Sequence, residues 1–519
     1  MKPEFIDLLK QTLPQSEVDS LLNAITSTVP SVSVRLNRKK IESLGLNIDD
    51  VLTVEHEKIG HCKDGFFLKT RPVFTADPSF HAGLYYVQEA NSMWIGEIMR
   101  KLVVELPSNA LVLDMCAAPG GKTTHVSSVL RKGDLLVSNE VISVRNSVLF
   151  ENVSKWGDGN TLITKADAKI FSKSSILFDV ILCDAPCSGE GLFRKDDAAI
   201  NEWSLDNVDL CSQRQQRIVF DLYDNLKPGG YFIYSTCTYN RIENEDNVFK
   251  FCNELGFEVV DLGFGAENHL YSLEKGMYRC MPHISSGEGL FFAVLKKSGT
   301  SELEGNDLVD FHVKKHPSKN KKNTSKQLES PLELIDLFPE SEFQLTSKDG
   351  NFYGIRHSNK QWIEHLTQSL PGLVHPGFPI GTIMKNKWKP HVATALLIES
   401  PLKLDRILSD SELLLYLRRE FIPRSNSLSS VSGNVSNFRN MDDIKNSYQI
   451  SPELYENKTE KYLDTHSNME GITILGFMLH GQIPVFLGVG NSVRNGINNL
   501  WPMEWRVRSI FQDTHRICG

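Results

Sequence analysis

Between Leu111 and Lys297 short apolar runs recur with helical stretches between them, and this alternation limits the fold of the 519-residue chain more than any other feature. The runs are LVLDMC (Leu111–Cys116), LLVSNE (Leu135–Glu140), TLITKAD (Thr161–Asp167), FDVILCDAP (Phe178–Pro186), YFIYSTC (Tyr231–Cys237) and GLFFAVLKK (Gly289–Lys297), with FEVVDL (Phe257–Leu262) as a further candidate. They are too short for helices and bounded by Gly, Pro and Ser, so they read as buried strands. Alternating with helices, they predict a doubly wound, mostly parallel α/β sheet. The carboxyl ends of such strands open into one crevice. Glu140, Asp167 and Asp184 close three consecutive runs, and Cys187 and Cys237 leave the ends of two others, so carboxylates and thiols are expected to meet there.

The flanks read differently. Residues 1–82 carry helical periodicity (Phe5, Leu8, Leu9, Leu13; then Val18, Leu21, Leu22, Ile25) followed by the strand-like VSVRLN, and predict an N-terminal α+β domain. Residues 83–298 form the core, and 299–331 are polar, Lys-rich and without periodicity, which predicts a linker. Residues 332–450 mix short elements, and 451–519, with ITILGFMLHGQIPVFLGVG, alternate and turn like a small β-barrel.

No apolar span is long enough to cross a membrane, and Met1–Ser20 lacks the pattern of an export signal, so a cytoplasmic protein is expected. Nine cysteines, an odd number with no C-x-x-C pair, predict reduced thiols, neither a disulfide framework nor a zinc site. A formal net charge of -8 argues against indiscriminate affinity for nucleic acid. Three basic clusters nevertheless stand out: Arg35, Arg38, Lys39 and Lys40; Lys314 to Lys326 in the linker; and Lys385, Lys387 and Lys389 around Trp388. Each alone reads as a solvated face. Together they point to RNA.

The first run leads into CAAPGGKTTHVSSVL, a turn of small residues opening a helix, which lets a ligand approach the backbone at a helix amino terminus. A P-loop needs glycine where Cys116 stands, which argues against an ATPase although Gly121, Lys122 and Thr123 fit its pattern. Glu140, about twenty residues on, suits a pair of ribose hydroxyls. Asp167 is placed to accept from the amine of an adenine. A nucleoside with a short charged tail, as in S-adenosylmethionine, fits better than a triphosphate.

DAPCSGEG (Asp184–Gly191) and STCTY (Ser235–Tyr239) resemble the signature motifs of the Sun family of RNA cytosine-5 methyltransferases. LDMCAAPGGKT, NEVISVRNSVLFENVSKWG, RCMPHISSGEGLFFAVLKK and GLYYVQEANSM are similar to that family in the same order, over about residues 30–297. Beyond the linker, PGFPIGTIMKNKWKPHVATAL and FLGVGNSVRNGINNLWP resemble the tail of the bacterial RsmF-type branch, which acts on small-subunit (16S) ribosomal RNA. The resemblance implies a Rossmann-like class I methyltransferase fold and S-adenosylmethionine as cofactor. Cys116, Ala117, Ala118, Pro119, Gly120, Gly121, Lys122, Glu140, Arg145, Asp167 and Asp184 are then expected to line its pocket.

The resemblance further implies Cys237 as the nucleophile that adds to carbon 6 of cytosine, and Cys187 as the thiol that helps remove the carbon 5 proton. A thiolate suits this work because it attacks readily and later leaves readily. Asp184 would face ring nitrogen 3 or the exocyclic amine, and Lys122 would orient Asp184 or the cofactor. Arg279 and His283 are expected to anchor a loop beside the pocket. The target base must be flipped out or unpaired, and Arg35, Asn37, Trp388, Arg494, Asn495, Asn498, Trp501 and Pro502 are candidates for holding RNA, the last five in an end that resembles a PUA-type barrel. A monomer without metal, acting on ribosomal RNA, is expected; transfer RNA and a non-catalytic ribosome assembly role are the alternatives.

Overall fold

In the computed structural model, residues 1–299, 337–338, 342–357, 360–384, 387–398, 400–423, 471–479 and 483–508 are described. The Lys-rich linker beyond Gly299, Lys385 and Cys518 lie outside them.

Helices Pro3–Thr12 and Gln15–Ser27 open the chain, each with one apolar stripe. That stripe packs on Phe193, Trp203, Val208, Tyr239 and Met281, so the helices brace the segments that follow the two candidate thiols. An antiparallel sheet follows, built from β1 (Val32–Leu36), β2 (His56–Lys58), β3 (Gly65–Leu68) and β4 (Tyr85–Val87) in the order β2-β3-β1-β4. Because β4 completes this sheet, the expected division at residue 82 cuts through it.

The central sheet contains β5 (Leu111–Asp114), β6 (Leu135–Asn139), β7 (Thr161–Thr164), β8 (Phe178–Asp184), β9 (Leu226–Thr236), β10 (Phe257–Val260), β11 (Tyr271–Glu274), β12 (Met277–Cys280) and β13 (Leu290–Lys297). Its order is β11-β12-β13-β9-β8-β5-β6-β7, with β10 also on β13. The run β7-β6-β5-β8-β9 is parallel and β13 is antiparallel to β9, which is the doubly wound sheet the sequence predicts. Its strands are apolar throughout because both faces are covered. One face meets helix Leu205–Leu222 and helix Glu245–Leu255, the other helix Trp94–Val103 and helix Gly121–Val129. Strand order reverses at β5, between β6 and β8, and the crevice of a sheet of this kind lies at such a reversal.

Two expected strands stop before their acidic ends, where the carboxylates meet backbone N–H groups of the following turns, β6 at Asn139, before Glu140, and β7 at Thr164, before Asp167, whereas β8 keeps Asp184 as its last residue. Past the linker come β14 (Gln344–Lys348), β15 (Asn351–Ile355), β16 (Leu373–His375), β17 (Phe378–Met384) and β18 (Lys387–Pro390). Four of them form a sheet in the order β14-β15-β17-β18. The fifth, β16, pairs antiparallel with β7 and extends the central sheet by a strand. A last five-stranded sheet runs β19-β21-β22-β23-β20, from β19 (Arg406–Ile407), β20 (Ile422–Pro423), β21 (Gly471–Leu479), β22 (Ile483–Val493) and β23 (Gly496–Asn499). The expected barrel thus draws strands from before residue 450 as well as after it. No helix among the described residues is long and apolar enough to cross a membrane.

Candidate active site

The reversal point supplies three neighbouring strand ends, and each delivers part of one site. After β5 the chain turns through Cys116–Gly120 into helix Gly121–Val129. Gly120 takes φ +112°, closed to ordinary side chains, and a Cβ there would press on Leu149 at 3.3 Å and Asn152 at 3.4 Å. Arg145 pins this turn by donating to the Ala118 carbonyl at 2.8 Å, while its other nitrogen lies 3.3 Å from Glu140. Glu140 also accepts from the Ile142 N–H at 2.9 Å. Asp114, at the end of β5 and 1% exposed, accepts from the Thr123 hydroxyl at 2.6 Å, and its Oδ1 has no partner. Burial pushes the Asp114 carboxyl up to about 7. The narrow turn, the unmet buried oxygen and the run of carboxylates fit a nucleoside ligand with a charged tail.

Asp167 caps helix Ala168–Phe171 through the Lys169 N–H and takes both nitrogens of Arg217, at 2.8 and 3.1 Å. That bidentate pair holds its carboxyl below the usual range. The cap and the ion pair already engage both oxygens, and the side chain is 41% exposed.

β8 ends at Asp184 and continues to Cys187; β9 ends one residue before Cys237. Asp184 pairs with Ser235 in the ladder, so the two cysteine loops leave adjacent strands in register. The sulfurs stand 2.9 Å apart, and the Cys237 N–H donates to the Cys187 sulfur at 3.3 Å. Both thiols are half-buried. The hydrogen bond to Cys237, then burial, push the Cys187 thiol well above the ordinary range, so Cys187 holds its proton. Beside them Lys122 donates to Asp184 Oδ2 at 2.7 Å and Ser235 to Oδ1 at 2.8 Å. Burial works against the Lys122 ammonium, but Asp184, with smaller help from Cys237 and Asp114, outweighs it and raises the lysine above its usual value. The ends of β8 and β9 and the start of helix Gly121–Val129 therefore bring together two thiols, a carboxylate and a fixed cation.

The residues offered for RNA divide. Arg35 is 1% exposed, lies 4.2 Å over the Trp156 ring and donates to Gln88 and Thr124; Asn37 donates to the Gly83 and Trp156 carbonyls. Lys40 is buried against two carbonyls, and Arg38 and Lys39 pair with Asp64 and Asp158. Arg35, Asn37 and Lys40 are thus spent inside the protein, joining the N-terminal sheet to the core, while Arg38 is half-buried and Lys39 exposed. Trp501 is likewise fully buried, donating to the Trp505 carbonyl. Trp388 packs half-buried on the same apolar cluster. Arg494, Asn495 and Asn498 are exposed. Arg279 is buried against Glu245 and the Tyr239 carbonyl, and His283 bonds Glu17 at 2.9 Å, an anchoring arrangement beside the pocket. Away from the crevice Cys62, Glu97 and His125 bring ligand-type atoms within 4.8 Å, but the charges of Arg35 and Arg100 oppose a cation there.

Sequence reasoning passed over Asp114, Glu190 and Glu243. Asp114 closes the first strand as Asp184 closes another, a signal present in LVLD. Nothing local marks the two glutamates, whose partners lie about fifty residues away.

Residues 101–296 match the 16S rRNA methyltransferase RsmB/F family, and residues 1–90 match the N-terminal domain of 16S rRNA methyltransferase RsmF. Ribosomal RNA small subunit methyltransferase F of Pectobacterium atrosepticum is 35% identical over 57% of this chain and 63% of its own. The protein of that name from Shewanella amazonensis is 33% identical over 62% of this chain and 70% of its own. The match thus spans about two thirds of the relatives' length. A solved methyltransferase homolog from Pyrococcus horikoshii, 25% identical, aligns over 57% of this chain and 100% of its own with a TM-score of 0.47. With the family's sequence running through the Cys116–Gly120 turn and both cysteine loops, this chain belongs to the RsmB/F family of 16S rRNA methyltransferases.

Proposed function

We propose that this protein methylates carbon 5 of a cytosine in small-subunit ribosomal RNA, in the cytoplasm and as a monomer, through a covalent bond between Cys237 and carbon 6. The contact of two thiols beside the Lys122–Asp184 pair carries the reading. Carbon 5 of cytosine is nucleophilic only while something is bonded to carbon 6. Cys237, its proton given up to solvent, adds there as a thiolate, and its negative charge moves into the ring toward nitrogen 3. Asp184, steadied by Lys122 and Ser235, faces the ring edge, and the Lys122 ammonium offsets the charge that develops.

S-adenosylmethionine would supply an electrophilic methyl group at this crevice, held by Cys116–Gly121, Glu140, Arg145 and Asp167. Once Cys237 is a thioether it can no longer carry negative charge beside Cys187, which removes one cause that holds the Cys187 proton. Cys187 then gives its proton to solvent and, as a thiolate, takes the one on carbon 5. The carbon 6–sulfur bond breaks, Cys237 departs as a thiolate and the ring double bond is restored.

Labelled methyl transfer to purified small-subunit RNA and to transfer RNA, followed by bisulfite mapping, tests both chemistry and substrate. Cys237→Ala should lower turnover by about a thousandfold or more. Cys187→Ala should trap a protein–RNA species that survives denaturation. Undiminished methylation by Cys237→Ala refutes the mechanism; labelling of transfer RNA alone refutes the substrate.

A further inference from the structure

Glu190 and Glu243 stand behind the thiols, and the scheme above gives neither a part. Both are fully buried. Each belongs to the loop of one cysteine and grips the backbone of the other. Glu190, on the Cys187 loop, accepts from the N–H groups of Tyr239 at 2.7 Å and Asn240 at 3.0 Å, just past Cys237. Glu243, on the Cys237 loop, accepts from the Ser188 N–H, adjacent to Cys187, at 3.0 Å. The Asn240 side-chain amide joins the carboxylates, 2.9 Å from Glu190 and 2.8 Å from Glu243. The Ser188 and Thr238 hydroxyls meet at 3.0 Å, and the Gly191 N–H donates to the Cys237 carbonyl at 2.8 Å. Trp203 donates to Glu190 at 3.1 Å and Gln215 to Glu243 at 2.7 Å, so all four carboxylate oxygens are engaged.

Apolar side chains would hold two loops together at less cost than two buried carboxylates near each other. Burial, with the charge of Glu190 added, pushes Glu243 up to about 7, which measures part of that cost. What carboxylates provide and apolar groups do not is direction, here toward N–H groups within three residues of each sulfur. The proposed reaction needs that direction, because a misplacement of about 1 Å can cost about a hundredfold in rate.

We infer that Glu190 and Glu243 form a reciprocal clasp that fixes Cys187 against Cys237, with Glu243 the positioning residue for Cys187 in the step that removes the carbon 5 proton and frees the RNA. This rests on the thiol scheme proposed above. The test uses the full chain with Glu243→Gln, labelled methyl donor and substrate RNA. It reads adduct formation in the first turnover and product release separately. The clasp predicts that release slows by about thirtyfold or more while adduct formation changes by less than about threefold, so the covalent band accumulates. A merely structural role lowers the amount of competent protein and reduces both phases by one factor.

Thr238→Val, which removes the hydroxyl bridge, should shift the ratio in the same direction, and Thr238→Ser should restore it. If Glu243→Gln fails to fold, the Thr238 pair decides. Equal loss in both phases, or unchanged partition, overturns the clasp. Cys187→Ala is run alongside: if it traps no adduct, the thiol scheme has failed, not the clasp.

Discussion

Asp114 is a carboxylate buried at the end of a strand, and its titration belongs to the fold as much as to the site. Its folded pKa of about 7 lies above the ordinary 3.8, so between these values the folded chain holds a proton that the unfolded chain has lost. Stability from this group is therefore fully present below about pH 4 and declines as pH rises toward 7, by an amount of order a few kcal/mol. Asp114→Asn should flatten that part of the profile, measured as melting temperature against pH. An unchanged slope would show that the group titrates elsewhere. At this scale the sequence was legible where chemistry sits at strand ends: Glu140, Asp184, Cys187 and Cys237 all lie where their motifs imply. It was illegible for Arg35 and Asn37, because a basic cluster in a sequence looks the same whether it faces solvent or bonds to Gln88, Thr124 and the Trp156 carbonyl.

Elements carry the next level of information. The strands of the central sheet announce themselves through continuous apolar runs, but a three-residue strand such as Leu373–His375 has no period to detect. Its partner, β7, is set by tertiary packing alone. The loops after β8 and β9 depend on close approach: a Cβ on Gly191 would stand 2.9 Å from the carbonyls of both Cys237 and Gly289. Gly191→Ala should therefore displace the Cys237 loop, costing about 1–3 kcal/mol of stability and at least about tenfold in turnover. Thermal melting and steady-state assay check the two effects, and a variant with wild-type turnover would show that the loop yields without consequence.

Across the whole molecule, the N-terminal sheet and the C-terminal sheets share one apolar cluster, from Val34 and Phe66 to Phe352, Trp501 and Trp505. Trp501 touches His81 from one side and Tyr416 and Trp505 from the other. Trp501→Ala should cost about 3–5 kcal/mol, seen as a lower melting temperature for the transition that carries the N-terminal sheet. Loss confined to the C-terminal sheets would disprove the shared cluster. Helix Ser143–Trp156 links the same cluster to the Cys116–Gly120 turn, since Phe150 stacks on His375 at 3.9 Å while Arg145 holds Ala118.

The strand that β16 adds to β7 has a practical corollary for anyone trimming the protein to its catalytic portion. A fragment ending after β13 would bare the backbone of Ile163 and Thr164 that now pairs with His375 and Leu373. Unsheathed backbone of that kind recruits other chains. Such a fragment should self-associate more strongly than the intact protein, measured as elution volume on size-exclusion chromatography against protein concentration.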